Sequence, residues 1–382
     1  MKIAFVYDAV YPWVKGGAEK RIYELGKRLA ENENEVHVFG VKWWNGTAMM
    51  ENEGMALHGV CKPMKLYVNG RRSIPEALIF AIKLLPHLIR DRYDVIDVSA
   101  FPYFSCFTAK LVSALRRNPM IITWHEVWGN YWYEYMGWRG FFGKLVEFTA
   151  SKLTQTSIVV SPLTKKNLVS LGVKSENIHI VPNGIDIGKI GNIPPSPDKC
   201  DILFAGRLIR EKNVDVLLEA VCCVKDALPD VKCHIIGDGP EKERLFGLVA
   251  ERGLMDNVRF FGFLTYEEVI ARIKSSKILA LPSTREGFGM VVIEAFACGI
   301  PVITVKGELN AASSLVSEKT GFVVNLDAEE LGNAVRSLLG NDALREKMAA
   351  SAMNAAQKYD WDRIARQASF IYEEHLLKSE RA

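Results

Sequence analysis

PSTREGFGMVVIEAFACGIP, the stretch from Pro282 to Pro301, indicates the fold and the kind of site more clearly than any other part of the chain. An apolar run typical of a strand, Ile278 to Leu281, precedes it, two glycines lie within it, and helical spacing follows them. The first N–H groups of a helix have no intrahelical acceptor, so such a strand-loop-helix junction favours an anion. We predict that an anion binds the backbone amides of four successive residues, Phe288, Gly289, Met290 and Val291.

Two carboxylates flank this anion site. Glu286 precedes the helix, and Glu294 lies about a turn and a half inside it. Carboxylates accept hydrogen bonds from hydroxyls and repel phosphate, so the pattern suits a nucleotide sugar. Its diphosphate would bind the backbone amides, its ribose hydroxyls would donate to Glu294, and its sugar hydroxyls would donate to Glu286. The same spacing also occurs on solvated helix faces, so this interpretation depends on the strand, the Gly-Phe-Gly loop and the helix around it.

These residues resemble the E-x7-E signature of retaining glycosyltransferases, and nearly the whole chain resembles family 4 of that class. The resemblance implies an α/β protein of the GT-B fold, with two Rossmann-like, doubly wound parallel-sheet domains facing a cleft. It also implies a nucleoside-diphosphate sugar as co-substrate, without a cofactor. For this family the expected reaction is front-face, with the donor's own phosphate oxygen taking the acceptor proton.

Composition agrees with a two-domain enzyme. The chain has 382 residues, 49% hydrophobic and 24% charged, and its net charge of +3 gives no indication of nucleic-acid binding. Its seven cysteines are odd in number and lack C-x-x-C spacing, which favours reduced thiols. The first residues form a strand without the parts of a signal peptide, and charges and a proline interrupt the apolar stretch from Ile74 to Ile89. We expect a cytoplasmic protein that does not span a membrane.

Short β-branched runs alternate with helical segments throughout, as in parallel sheets covered on both faces. We predict an N-terminal Rossmann-like acceptor-side domain over residues 1–186 and a C-terminal nucleotide-sugar donor domain over 187–361. The proline-rich stretch 191–199 is interpreted as a linker. By resemblance, a last helix of about 362–382 crosses back to join the first domain.

Two cations are expected beside the diphosphate. Arg207 and Lys212 follow the first strand of the second domain, at the edge where open α/β sheets bind ligands. Family members carry a similar G-R-x4-K pattern, and fixed cations there would stabilise the leaving group's charge. The alternative is a solvated charge cluster. Backbone groups near Leu264 are expected to select the base, which leaves uridine, guanosine and adenosine donors open.

The first domain contributes a glycine loop and a histidine. Gly16 and Gly17 open its first helix, where glycine permits close approach of a ligand, although a tight turn would also need glycine. His125 closes a buried strand, and the resemblance places a cleft histidine near the donor sugar at this position. A single histidine is otherwise usually structural.

Asp360 and Asp362 form a D-x-D pattern at a helix start, which we interpret as capping, so we expect no metal site. Aromatic residues are dense between Trp124 and Trp138, as in a sugar-stacking surface, a membrane interface or an ordinary core. The helix 74–89 is apolar with basic neighbours, which fits either peripheral contact with the inner membrane face or a buried helix with extended cations. These basic neighbours are Arg71, Arg72, Lys83, Arg90 and Arg92.

The predicted function is a retaining, metal-independent transfer of a hexose from a nucleoside-diphosphate sugar to a hydroxyl. The acceptor hydroxyl belongs to a glycan, a lipid-linked sugar or a small alcohol. In this interpretation Glu286, Arg207, Lys212 and His125 act in catalysis. Two alternatives stay open: a GT-B nucleotide-sugar epimerase, which would need an acid and base pair that the sequence does not identify, and a catalytically silent nucleotide-sugar binding subunit.

Overall fold

A computed structural model describes residues 1–68 and 71–380. The chain forms two compact units: unit 1 comprises Met1–Asn183 and the chain from Trp361 onward, and unit 2 comprises Gly184–Asp360. The predicted boundaries, 186/187 and 361/362, lie within a few residues of these divisions. Each unit is an α/β structure built on its own sheet, which confirms the predicted fold class.

Unit 1 is built on an eight-stranded sheet with the order β10-β9-β8-β7-β1-β2-β4-β3, parallel except for the β3–β4 pair. The eight strands are β1 (Lys2–Val6), β2 (Glu35–Gly40), β3 (Met49–Asn52), β4 (Met55–Gly59), β7 (Val95–Ser99), β8 (Met120–Trp124), β9 (Thr156–Val159) and β10 (Ile178–Ile180). A separate antiparallel pair consists of β5 (Tyr67–Val68) and β6 (Arg71–Arg72). Its helices are α1 (Gly17–Glu31), α2 (Ile74–Leu88), α3 (Phe104–Arg116), α4 (Tyr131–Met136), α5 (Gly140–Ala150) and α6 (Pro162–Ser170).

Unit 2 contains a six-stranded parallel sheet with the order β13-β12-β11-β14-β16-β18, and a separate two-stranded pair, β15–β17. Its strands are β11 (Cys200–Ala205), β12 (Cys233–Ile236), β13 (Val258–Gly262), β14 (Ser276–Leu281), β15 (Arg285–Glu286), β16 (Val302–Val305), β17 (Leu309–Asn310) and β18 (Gly321–Val324). Its helices are α7 (Ile187–Asn192), α8 (Val214–Lys225), α9 (Lys242–Glu251), α10 (Tyr266–Lys274), α11 (Met290–Ala297), α12 (Ala328–Leu339) and α13 (Asp342–Ala356).

The last helix, α14 (Trp361–Glu380), packs in unit 1. Trp361 and Tyr372 are fully buried in the core that also holds the inner face of α1. The Tyr372 hydroxyl donates to Asp97 Oδ2 at 2.5 Å, and Arg28 Nε donates to Asp362 Oδ1 at 2.6 Å. Asp362 therefore has a structural partner on α1.

The predicted linker, residues 191–199, is an integral part of unit 2 rather than the connection between units. It begins inside α7, and its backbone is fastened to α10 by the Ser196 amide, which donates to Ala271 O at 2.9 Å. Lys274 Nζ donates to Ile193 O at 2.6 Å, and Arg272 pairs with Asp198 at 3.1 Å. Prolines prevent regular structure here, but these contacts with α10 still hold the segment in place.

Both sheets reverse their strand order once, and this positions the sites. In unit 2 the reversal lies between β11 and β14, and in unit 1 between β1 and β7. Loops leaving the carboxyl ends of such neighbouring strands diverge to opposite faces of the sheet, which opens a crevice for ligands. The loops that follow β11 and β14 carry the predicted cations and Glu286.

Candidate active site

In unit 2 the loops after β11 and β14 are joined through Asn213. This residue has a left-handed backbone (φ 47°) at the start of α8. Its side-chain Nδ2 donates to Pro282 O at 3.0 Å and to Thr284 Oγ1 at 3.3 Å. The Thr284 amide donates back to Glu211 O at 3.0 Å. The two loops therefore form one framework, and their side chains are held in a fixed relation.

Lys212 and Glu286 form an ion pair on this framework, with Lys212 Nζ donating to Glu286 Oε1. Both side chains are only 14% exposed. The backbone of Glu286 is held in place because β15 pairs with β17, where Glu286 lies opposite Asn310. Asn310 is itself anchored, since its amide donates to Val305 O at 2.7 Å. A cation and a carboxylate thus lie side by side at the point where strand order reverses.

Arg207 belongs to the same loop and has a different environment. Its side chain is exposed, and within residues 1–68 and 71–380 it forms no ion pair or hydrogen bond. The structure therefore brings Lys212 to Glu286 and leaves Arg207 as an exposed cation of the β11 loop.

The start of α11 requires glycine. Gly289 has φ 101°, and a Cβ added to it would lie 2.7 Å from the Cβ of Ala312. Met290 and Val291 occupy the first turn, where amides lack intrahelical acceptors. The Phe288 side chain is buried against Tyr359, with ring centroids 5.9 Å apart, so its backbone is the part left for a ligand.

Glu294 is buried, with 9% of its surface exposed, although it lies on a short helix. That burial excludes the alternative of a solvated helix face for this residue. Leu264 is half-buried after Gly262, which ends β13 with a left-handed backbone (φ 66°).

A loop that sequence reasoning missed completes this edge of the sheet. Gly237 and Gly239 follow β12 with positive φ, and a Cβ on either would lie within 2.3 Å of a carbonyl oxygen of the β11 loop. The Leu208 amide donates to Asp238 O at 2.9 Å, which fastens the two loops together. The Gly-x-Gly pattern directly after an apolar strand was the available signal.

In unit 1, Gly16 caps α1 with an extended backbone, and a Cβ there would lie 2.4 Å from Glu19 Oε2. At Gly17 the space within 4 Å of an added Cβ is empty. Close packing therefore constrains Gly16, and the open space at Gly17 leaves room for a ligand.

His125 lies at the end of β8, half-buried, with Nε2 3.5 Å from Ser99 Oγ. Burial, reinforced by the charge of Arg21, lowers the pKa of its imidazole to about 3. The ring is therefore neutral near pH 7, so it can accept or donate a hydrogen bond but is not an imidazolium that could act as a general acid.

A buried charge cluster beside the glycine loop was also missed. Arg72 pairs with Asp8, which follows β1, and its Nη2 lies 3.4 Å from Glu76 Oε2. Burial, with the charge of Asp8, raises the pKa of Glu76 to about 8, and burial also raises the pKa values of Asp8 and Glu19. The spacing of Arg72 and Glu76, four residues apart, was a signal, but their approach to Asp8 is long-range.

The aromatic segment divides between core and surface. Trp124, Tyr131 and Trp132 are buried, whereas Trp138 is 75% exposed. Within residues 1–68 and 71–380, no group of three or more His, Cys, Asp or Glu side chains could hold a metal ion. Among those same residues, no helix has the length and apolarity needed to cross a bilayer.

Solved structures share this architecture over the full chain. Sucrose-phosphate synthase from Thermosynechococcus elongatus superposes with a TM-score of 0.80 at 22% identity, covering 98% of both chains. HepE of Anabaena, solved with UDP-glucose, gives 0.76 at 20% identity, covering 98% of this chain and all of that one. The fold is GT-B.

Sequence comparison gives the family. The pattern described as "Glycosyl transferases group 1" matches residues 189–355, and "Glycosyltransferase Family 4" matches residues 15–189. The chain belongs to glycosyltransferase family 4. Phosphatidyl-myo-inositol mannosyltransferase of Mycobacterium leprae is 32% identical over 226 residues, which are 56% of this chain and 58% of that protein. The chain thus spans less than two thirds of that relative.

Proposed function

We propose that the protein transfers a hexose from a nucleoside-diphosphate sugar to a hydroxyl acceptor, with retention of configuration and without a metal ion. One observation carries the proposal: the contact between Lys212 and Glu286 in front of the α11 N-terminus. A ligand that satisfies both groups carries an anion and hydroxyls on adjacent atoms. A sugar joined to a diphosphate has this chemistry.

In the proposed mechanism, Lys212 acts at the junction of sugar and phosphate. An ammonium group has three donors, so it can keep Glu286 and still donate to a phosphate oxygen. A fixed cation at that place stabilises the charge that develops as the glycosidic bond breaks. Arg207 and the amides from Phe288 to Val291 would hold the rest of the diphosphate, Leu264 would adjoin the base, and Glu294 would accept the ribose hydroxyls.

Proton transfer is assigned to the donor itself. The leaving phosphate oxygen takes the acceptor proton on the same face of the sugar, so no protein base is needed. His125, neutral near pH 7, would hydrogen-bond a sugar hydroxyl, with the open space at Gly17, next to the Gly16 backbone, leaving room for the sugar. In this assignment unit 2 binds the donor's nucleoside diphosphate, and unit 1 binds the acceptor and contributes His125 to the sugar.

The acceptor is proposed to be a hydroxyl of a glycan, a lipid-linked sugar or a small alcohol. The mannosyltransferase of Mycobacterium leprae is named for a phosphatidyl-myo-inositol acceptor, which favours the lipid class. HepE was solved with UDP-glucose, which supports a nucleotide-sugar donor, and the proposal keeps uridine, guanosine and adenosine as bases.

The test is incubation with UDP-, GDP- and ADP-hexoses in excess chelator, followed by NMR of the anomeric proton. We expect slow donor hydrolysis or transfer, with the anomeric configuration kept and Lys212→Met inactive. Lys277→Met is the matched control, because that lysine is half exposed at the amino end of β14 and pairs with Asp201. Loss of activity in EDTA would contradict metal independence. A changed sugar still on its nucleotide would identify an epimerase, and binding alone a silent subunit.

We also propose that unit 1 binds peripherally to the cytoplasmic face of the inner membrane. The α2 helix buries Phe80 and Leu84 but exposes a second apolar face, with Ile82 70% exposed beside the exposed cation Lys83. Apolar side chains with basic neighbours bind anionic bilayers. Ile82→Glu should reduce sedimentation with phosphatidylglycerol vesicles, whereas Leu228→Glu, an exposed control in unit 2, should not. If Ile82→Glu and Leu228→Glu sediment with the vesicles to the same extent, the proposal is contradicted, because α2 then contributes no more to binding than the control surface.

A further inference from the structure

Unit 1 contains an apolar cavity of about 180 Å³ that the mechanism above does not use. Its wall comes from the start of α2, the segment between β7 and α3, α4 and the first turns of α5. It is made almost entirely of carbon atoms. Its lining includes Arg71, Ile74, Ala77, Trp132, Phe142 and Val146.

Water is a poor occupant of this cavity. The volume is several times the roughly 30 Å³ that a water molecule takes in the liquid, and a buried water needs two to four polar partners. The Tyr135 hydroxyl on the wall is already engaged, because the Arg72 amide donates to it at 2.7 Å. The indole N–H of Trp132 is buried and, among the described residues, has no acceptor. The wall therefore offers water few accessible polar partners, and the occupant that fits is a hydrocarbon chain.

The rim of the cavity is amphipathic. Ile74 and Phe142 line it and are 47% and 57% exposed, so its apolar surface continues to the solvent. Arg71 lines it as well, with its guanidinium 5.7 Å from the Tyr135 ring centroid. Arg71 is exposed and has no carboxylate partner in the described parts of the chain. A hydrocarbon chain entering here would bring its head group to a free cation.

We propose that this cavity binds the hydrocarbon chain of a phosphate-bearing lipid, with the lipid phosphate at Arg71. That the lipid is the acceptor rests on the proposed function, because only a transferase needs an acceptor. Chain binding itself rests on the cavity alone. The two statements can therefore be tested separately.

Binding is tested by titrating the protein with octyl, decyl, dodecyl and tetradecyl phosphate below their micelle concentrations, using calorimetry. Burial of a methylene is worth about fourfold in affinity, so two added methylenes should strengthen binding roughly 15-fold until the cavity is full, after which affinity levels off. Inorganic phosphate and dodecyl maltoside separate the contributions of head group and chain. Tight binding of inorganic phosphate, or affinity that does not depend on chain length, would overturn the proposal.

Val146→Phe fills the cavity from α5, and Leu145→Phe adds the larger side chain one position away, on the exposed side of the same helix. We expect the first to weaken dodecyl phosphate binding by about 15-fold, the effect of two excluded methylenes, and the second to leave it within about twofold. Ala77→Leu, from the opposite wall, tests the same point if Val146→Phe fails to fold. Equal effects of a folded filling variant and its control would refute the cavity as the binding site.

The acceptor role is tested in the same variants. Donor hydrolysis should be unchanged in Val146→Phe, because Val146 lines the cavity and is not among the residues proposed to bind the donor. The Michaelis constant for a phospholipid acceptor should rise about 15-fold, with no rise for a short-chain analogue. Absent hydrolysis in the wild type would reject the proposed function and leave chain binding to the calorimetry. A phospholipid Michaelis constant unchanged by Val146→Phe would reject the acceptor role.

Discussion

Removing the ammonium of Lys212 should destabilise unit 2 more than a surface ion pair would. Both side chains of the Lys212–Glu286 pair are 14% exposed, so Lys212→Met leaves a largely desolvated carboxylate without its partner. Breaking a buried pair from one side costs about 3–5 kcal/mol, and an exposed pair contributes about 0–1 kcal/mol. With this burial we expect a loss of about 2–3 kcal/mol in the free energy of unfolding.

The double variant identifies the cause. Glu286→Gln leaves the ammonium unpaired, but Lys212→Met with Glu286→Gln removes both charges. The double loss should therefore be smaller than the sum of the single losses by about 1–2 kcal/mol. Lys277→Met is the control, since Lys277 is 52% exposed in its pair with Asp201, and it should cost no more than about 1 kcal/mol.

The assay must report on unit 2 alone. All eight tryptophans lie in unit 1, so their fluorescence monitors that unit and serves as the internal control. They are Trp13, Trp43, Trp44, Trp124, Trp128, Trp132, Trp138 and Trp361. Hydrogen exchange of peptides from β11, β14 and α11 measures the opening of unit 2. Additive single losses, or losses no greater than in Lys277→Met, would refute the argument that this pair is desolvated and coupled.

Three further outcomes are expected. Arg207→Ala should lower the turnover number by about 100-fold or more, as when one preorganised donor is removed. A tenfold or smaller loss, similar to that of the exposed control Arg259→Ala, would favour the alternative that Arg207 belongs to a solvated charge cluster without a role in catalysis. Glu286→Gln should mainly lower the turnover number and Glu294→Gln mainly raise the donor Michaelis constant, with calorimetry of the free nucleoside diphosphate affected only by Glu294; the reverse would exchange their roles. Folding raises the Glu76 pKa from 4.5 to about 8, so between these values the native state binds a proton at Glu76 that the unfolded state lacks, and the free energy of unfolding of unit 1 should decrease as the pH rises from about 5 to 8. Urea unfolding followed by tryptophan fluorescence should show a smaller decrease in Glu76→Gln. An equal decrease in the wild type and the variant would contradict the prediction.

The sequence predicted those features that depend on local pattern. Apolar runs such as Ile278 to Leu281 are strands buried on both faces, and the loops that follow them meet because carboxyl ends of parallel strands share an edge. For that reason Lys212 and Glu286, 74 residues apart, could be placed at one edge before the structure was known. Their direct contact could not, because it depends on the Asn213 bonds that join the loops.

Other features depend on contacts that no local pattern reports. The hairpin of β3 and β4 was missed, because β3 is short and largely exposed, and the alternation of β4, which buries Met55 and Leu57, extends over only five residues. The linker prediction was wrong because Pro194 and Pro195 indicate irregular backbone but not whether neighbouring side chains hold it. The Asp8–Arg72–Glu76 cluster joins residues separated by more than sixty positions, which composition cannot reveal.

The two charged clusters favour different ligands, and this gives the units their proposed division of labour. In unit 2, Lys212 balances Glu286 and Arg207 remains as an exposed cation, so the loops after β11 and β14 carry a surplus positive charge with free amides beside it. In unit 1, the carboxyl groups of Asp8, Glu76 and Glu19 outnumber Arg72, and burial favours their neutral forms. The surplus positive charge of the first arrangement attracts phosphate, whereas the second offers phosphate no such surplus, and a hydroxyl can donate to an acceptor oxygen in either. The electrostatics therefore favour unit 2 for the diphosphate and the buried cluster of Asp8, Glu76 and Glu19 in unit 1 for a hydroxyl.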